Sequence, residues 1–261
     1  MNTSHLFNPF KSVRLIITGT LESLGYNLLL LIQSARQYRS IPNRFRETVN
    51  QISICARGGF PVAIIVAIFS GMVLALQSGI EMARWGQEAQ IGTLVAATMC
   101  REMGPVMTAY ILAGLIGSTM AAEIGTMKVS EEIDALEVMS IDPISYLVLP
   151  RLLAMALVCP LLTVYTNVVG ILGGGVVGKL VLNVNFSLYF RYAQEALTLK
   201  DIYSGLFKAL IFGFMIALVG CSQGLRAENG AAGVGKATMK AVVIALISIL
   251  IFDYFLTWLF Y

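Results

Sequence analysis

Arg101 and Glu102 stand side by side in "TLVAATMCREMGPVMTAYILAG" (93–114), an otherwise uncharged run that passes straight into a Gly104–Pro105 step. Lys208 interrupts the apolar stretch 202–225, and Asp253 interrupts 241–261. A charge at the centre of a membrane costs about 2.5–3.5 kcal/mol on insertion scales, so such residues pair with one another or line a wet cavity. The chemistry open to this set is binding rather than bond cleavage. Pro105 has no N–H to offer the carbonyl of residue 101, which predicts a helix break at Gly104–Pro105 beside the charged pair. Gln77, a polar amide in the first apolar run, joins Arg101, Glu102, Lys208 and Asp253 as a candidate cavity residue.

Other chemistries are poorly supplied. His5 is the sole histidine and lies in a polar tail, which argues against a histidine-ligated metal or Ser-His catalysis. No metal site and no catalytic residue is expected. Cys55, Cys100, Cys159 and Cys221 form no CxxC pair and read as small buried hydrophobes. "GGGVVGKL" (173–180) and "GAAGVGKA" (230–237) both reach G-x-x-x-x-G-K, but Leu180 and Ala237 stand where a phosphate-binding loop needs Ser or Thr. ATP and Mg are therefore expected on another polypeptide, with no cofactor in this chain. Gly170, Gly174 and Gly178 instead make a small-residue stripe, as do Gly71, Ala75 and Gly79, suited to close helix packing in lipid.

The elements that must position these residues follow from composition. Of 261 residues 57% are hydrophobic and 13% charged, against about 25% charged in soluble domains. Lipid is the solvent. An all-α integral membrane fold is predicted, with spans at about 58–80, 90–122, 152–178, 202–225 and 241–261, the third kinked at Pro160. Leu21, Leu24, Leu28 and Leu31 make a greasy stripe within 13–35, but Glu22 and Asn27 dilute it. That segment reads as an amphipathic helix in the membrane surface rather than a sixth span. The expected division is a cytoplasmic or interfacial segment, 1–57, and a membrane domain, 58–261. No signal peptide is recognisable in residues 1–14.

Twelve Lys and Arg residues fall on the N-terminal side of this five-span topology and four on the other, which places the N-terminus in the cytoplasm and the C-terminus outside. Arg101, Glu102, Lys208 and Asp253 then all fall in the outer half of the bilayer, with charges that sum to zero. On the cytoplasmic side, residues 123–151 read EIGTMKVSEEIDALEVMSIDPISYLVLPR. Val129, Ile133 and Leu136 form an apolar stripe against acids at Glu131, Glu132, Asp134 and Glu137, and Ser130 suits a helix N-terminus. A short amphipathic helix there is suited to docking a soluble partner.

"REMGPV", "AAEIGTMKVSEEIDALEVMSIDP", "LPR", "GVGKAT" and "DYFLT" together resemble the MlaE (YrbE-like) family of ABC-transporter permeases over most of 58–261. The resemblance implies a homodimeric subunit of the bacterial inner membrane or chloroplast inner envelope. It also implies cytoplasmic ABC ATPase subunits below, an MCE-domain lipid-binding protein on the outer side, and a lipid cargo, phospholipid or another lipid. Glu102 corresponds to the acid beside the family's lipid cavity, and Lys208 and Asp253 to further charges there. The family's coupling helix corresponds to about 127–139, here Met127, Lys128, Glu131, Glu132, Ile133, Asp134, Leu136, Glu137 and Met139. The alternative from the residues alone is an ion-coupled secondary transporter relaying protons through Glu102 or Asp253, although no inverted repeat is visible. A membrane aspartyl hydrolase would need an acid dyad, for which Glu102 and Asp253 are an odd pair.

Overall fold

The computed structural model describes residues 25–37 and 44–261. Among them all regular structure is helical, and five helical stretches are long and apolar enough to cross a membrane. Residues 25–36 form α1. The first span is α2, Phe45–Arg84, which begins well ahead of residue 58 because Arg44, Arg46 and Glu47 extend the apolar helix by a polar start. The second combines α3 (Ile91–Thr98), a wide π turn at Met99–Met103, α4 (Gly104–Leu112), a second π turn at Ala113–Gly117 and α5 (Ser118–Val129). A short α6 (Glu132–Val138) follows. The third span is a π turn at Ile144–Val148 continuing into α7 (Leu149–Leu180), helical throughout despite Pro160. Then come a surface helix α8 (Phe186–Ala196), α9 (Leu199–Leu225) and α10 (Gly230–Phe260). Alternation of direction gives the bundle an α6 end and an α8 end.

Small residues set the packing. The buried side of α2 is Ala63, Ala67, Gly71, Ala75 and Gly79, one every four residues. A Cβ at Gly71 would come within 1.9 Å of the Gly170 carbonyl oxygen on α7, so the two backbones touch. The second stripe divides its work. Gly170 meets α2, whereas Gly174 and Gly178 receive the buried ring of Tyr189 from α8, whose hydroxyl donates to the Ile171 carbonyl at 3.1 Å. The sequence reading passed over α8 altogether, although Asn185 caps it by accepting from the Ser187 N–H. The apolar core lies among α4, α5, α7 and α9, around Leu112, Met155, Phe212 and Ile216. Spans one and five contribute little to it, Cys55 from the first and Ala245, Ile249 and Leu256 from the fifth, with 28% and 17% of their apolar windows buried against 50–67% for the other three.

Of the leucines in the N-terminal stripe, Leu28 and Leu31 lie on α1. Leu30, at 2% exposure, enters the main core with Leu31 packed beside it, while Leu28 is exposed; Leu21 and Leu24 lie outside the described residues. Buried Ser34 shares the Leu30 face one turn on.

Candidate functional site

Span two reaches the charged region through the first π turn. The Gly104 N–H donates to the Met99 carbonyl, five residues back, and the backbone stays right-handed through Met103 (φ −62°, ψ −45°) and Gly104 (φ −61°, ψ −56°). The expected break at Gly104–Pro105 is therefore absent. A wider turn carries the chain past Pro105 without unwinding it, a form of helix common at functional positions. Gly104 also has little room: a Cβ there would lie 2.8 Å from the Met99 carbonyl oxygen and against the Asn167 side chain on α7.

Arg101 and Glu102, adjacent on this turn, project toward different partners and begin two rungs. In the lower rung Lys208, fully buried on α9, donates to Glu102 Oε2 at 2.6 Å, Asp253 Oδ1 at 2.9 Å and Thr257 Oγ1 at 2.7 Å. An ammonium has three N–H groups, and all three are used. Thr257 in turn donates to Glu102 Oε1 at 3.1 Å. The carboxylates are not sealed: the side chain of Glu102 keeps 34% exposure and that of Asp253 21%.

In the upper rung Asp201 is the hub. Its Oδ1 accepts from Arg101 Nε and from the Tyr261 hydroxyl, each at 2.7 Å. Its Oδ2 accepts from Thr198 Oγ1 at 2.8 Å and from the Thr198 backbone at 3.2 Å, which closes a capping box at the start of α9. The guanidinium of Arg101 and the ammonium of Lys200 both lie against the Tyr261 ring, 5.0 and 4.8 Å from its centre. Helix periodicity explains the stacking. Asp201 and Lys208 lie two turns apart on α9, and Asp253, Thr257 and Tyr261 step by one turn along α10. Between Asp201 and Lys208 sits Gly205, where a Cβ would come within 2.1 Å of the Cys100 carbonyl oxygen. That close approach lets α9 reach the π turn.

The structure thus joins Glu102, Lys208 and Asp253, as their burial cost required, but sends Arg101 to a residue the sequence reading missed. T-L-K-D, residues 198–201, was the available signal: a Thr followed three positions later by an acid. With Asp201 counted, three acids face Arg101 and Lys208, so the set carries one net negative charge rather than none. Gln77 is outside the network. It is exposed on α2, two positions from buried Ala75 and Gly79 and so roughly 200° around the helix from each.

At the α6 end, Ser130 ends α5, its N–H bonded to the Thr126 carbonyl, rather than starting the next helix. Glu131 (φ 61°) and Ser140 (φ 58°), both left-handed, bracket α6 and isolate it as a single short lever. Val129 therefore lies on α5, off the α6 stripe. Ile133 is buried and Leu136 packs on the core, Lys128 pairs with Asp134 at 2.9 Å, and Val138 and Met139 stay exposed. Met127 lines a cleft of about 450 Å³ with Ala122, Glu123, Thr126 and Arg151. Buried Arg151 bonds Glu123 Oε2 at 2.8 Å and the Leu147 carbonyl at 3.2 Å. Three contacts gather the N-terminal region onto this end: Gln37 with Asp142, Arg44 over Tyr146 at 4.8 Å and Arg226 over Tyr26 at 5.5 Å. Burial raises the Tyr26 phenol above its ordinary pKa, against the opposing charge of Arg226.

A bundle of five membrane-length helices, with polar contacts enclosed among three of them and a separate short helix at the opposite end, is the architecture of a transport subunit. The model of the permease MlaE family matches residues 48–259, and the chain belongs to that family of ABC transporter permeases. It is 41% identical to a probable ABC transporter permease protein of Synechocystis sp., over 82% of this chain and 81% of that one. A probable ABC transporter permease protein of Rickettsia conorii is 38% identical over 98% and 99%. The chloroplastic protein TRIGALACTOSYLDIACYLGLYCEROL 1 of Arabidopsis thaliana is 36% identical over 83% of this chain and 62% of its own length.

Proposed function

We propose that this permease moves lipid, phospholipid being the leading cargo, between the inner membrane and the outer membrane or envelope. It would act as a homodimer driven by separate ATPase subunits that bind ATP and Mg, with an MCE-domain protein receiving or supplying lipid on the outer side. The chain itself would catalyse no bond cleavage. The observation that carries this reading is the pairing of Lys208 with the partly open carboxylates of Glu102 and Asp253 inside membrane-length helices. A polar wall within an apolar bundle fits a ligand that has both a headgroup and acyl chains. The Arabidopsis relative, whose name contains a diacylglycerol glycolipid, agrees with a lipid cargo. In the proposed orientation the α6 end is cytoplasmic, as the Lys and Arg distribution favours. Its acids, Glu131, Glu132, Asp134 and Glu137, would meet the ATPase together with Met127, Lys128, Ile133, Leu136 and Met139.

Purification from native membranes, with mass spectrometry of co-purifying proteins and lipids, tests the whole assembly. An ATPase, an MCE-domain protein and bound lipid are expected. Glu102→Ala should lower lipid transfer while the complex still assembles; unchanged transfer removes the cavity role. Reversing the charges at Glu131, Glu132, Asp134 and Glu137 should weaken ATPase capture at least tenfold, and unchanged capture removes the docking role. Transport by the purified chain alone, driven by a proton gradient, would replace this reading with the ion-coupled one.

A further inference from the structure

The short helix α6 has a corner at each end, and one other helix reaches both corners. Glu131 and Ser140 take left-handed backbone and interrupt the helical run on either side of its seven residues. A push on a lever joined by two such corners bends the corners before it moves the bundle, unless something ties them down. α1 supplies the tie. Beside the first corner Lys128 bonds Asp134 of α6 at 2.9 Å, and its charge acts on the Tyr26 phenol of α1. The Tyr26 ring also meets the guanidinium of Arg226, which ends α9, at 5.5 Å. Beyond the second corner Asp142 accepts from the Gln37 amide, just past the end of α1. The same carboxylate accepts from the Ser145 N–H at 3.0 Å, where span three begins. Gln37 stands about 16 Å beyond Tyr26 along the axis of α1. Between these two points the polar hold is weak, as buried Ser34 Oγ has no partner among the described residues. Leu30 and Leu31 pack on the apolar core that also takes Ile133 and Leu136 of α6. Apolar burial is non-directional, so it holds α1 down without fixing its register, and the contacts at its ends do the fixing. The opposite face, Leu28, Leu29 and Ile32, is exposed, as suits a helix lying in the membrane surface rather than wedged among others.

We propose that α1 is a brace across the two corners of α6, with Tyr26 and Gln37 as its positioning residues, so that a push on α6 shifts α6, α1 and the adjoining ends of α9 and span three together. The inference rests on the reading of α6 as the ATPase docking element. It adds the step by which a stroke delivered there reaches the bundle instead of being absorbed at Glu131 and Ser140.

The test uses the full chain with its co-purifying partners, reconstituted in vesicles, and reads two quantities: ATPase captured per permease, and lipid transferred per ATP hydrolysed. Gln37→Glu sets two carboxylates against each other and should lower transfer per ATP about fivefold, the scale of one lost hydrogen bond, while capture stays at the wild-type level. Adding Asp142→Asn to Gln37→Glu should restore transfer. The amide then donates to the carboxylate at 37, and its oxygen still accepts from the Ser145 N–H. Tyr26→Ala should lower transfer per ATP about threefold, and Tyr26→Phe should not, because the ring that meets Arg226 is kept. The two Tyr26 variants keep the test valid if Gln37→Glu fails to fold. Unchanged transfer per ATP in Gln37→Glu and Tyr26→Ala overturns the brace and leaves docking at α6 standing. Failure of Asp142→Asn to rescue Gln37→Glu overturns it as well. Loss of capture in step with loss of transfer also overturns it, since α1 would then belong to the docking surface. A wild-type chain that captures no ATPase overturns the inference and the docking reading together.

Discussion

The two ends of the bundle treat buried charge in opposite ways. At the α8 end the Lys208 ammonium satisfies all three of its donors on Glu102, Asp253 and Thr257. At the α6 end Arg151 is nearly as buried, yet its Nε has no partner among the described residues, and neither do the nearby-buried Ser222 Oγ and Gln223 Nε2 of α9. Glu123, the partner of Arg151, is 47% exposed, so much of its charge remains solvated. A saturated network resists rearrangement, because every alternative leaves a donor or acceptor bare. An incompletely satisfied one has less to lose by shifting. The difference suits an end that keeps its shape around a ligand and an end that yields to a push.

Breaking the saturated Lys208 network should have the largest effect. Lys208→Met leaves Glu102 and Asp253 facing each other without a counter-ion, and should cost about 3–5 kcal/mol of stability along with lipid transfer, read by thermal unfolding and a transfer assay. The combined change Lys208→Met, Glu102→Gln and Asp253→Asn sharpens the point. Removing all the charges together should restore most of the stability, since a whole buried ion pair is often replaceable without loss, but transfer should stay low. Arg151→Met should cost less, about 1.5–3 kcal/mol, because the Glu123 left behind can be rehydrated. The smallest effect belongs to Lys128→Ala. Its pairing with Asp134 is exposed and should be worth no more than about 1 kcal/mol, vanishing in high salt. A Lys128→Ala loss as large as that of Lys208→Met would mean that the α6 lever is locked as firmly as the α8 rungs, and the contrast would fail.

Much of this was legible in the sequence, for definite reasons. Five apolar runs needed only their length, and Glu102, Lys208 and Asp253 had to meet because none could remain alone in lipid. The glycine stripes announced backbone contact, although not that Tyr189 would fill part of one. Asp201 escaped notice because it lies in the first turn of a span, where an acid looks like the edge of a loop. Its role depends on Gly205 bringing α9 against Cys100, a tertiary fact. Tyr261 was hidden for the same reason, as its value lies in a stripe shared with Asp253 and Thr257. Gln77 misled because polarity shows which residues are unusual, while helical phase decides which way they point. The Gly104–Pro105 break misled because a missing N–H can be absorbed by a π turn as well as by unwinding.

Forty residues of continuous helix in α2 measure about 60 Å, twice the roughly 30 Å of hydrocarbon that a bilayer offers. Such a rod either leans steeply or stands proud of the membrane, and Pro61, which leaves one carbonyl of its ladder unpaired, divides it into a short leading part and a longer one of about 35 Å. Pivoting the longer part by ten degrees at Pro61 would sweep its far tip through about 6 Å, a simple consequence of that length. Because its glycine and alanine seam lies directly on the backbone of α7, the two would swing as one girder, carrying a nudge from one aqueous compartment to the other.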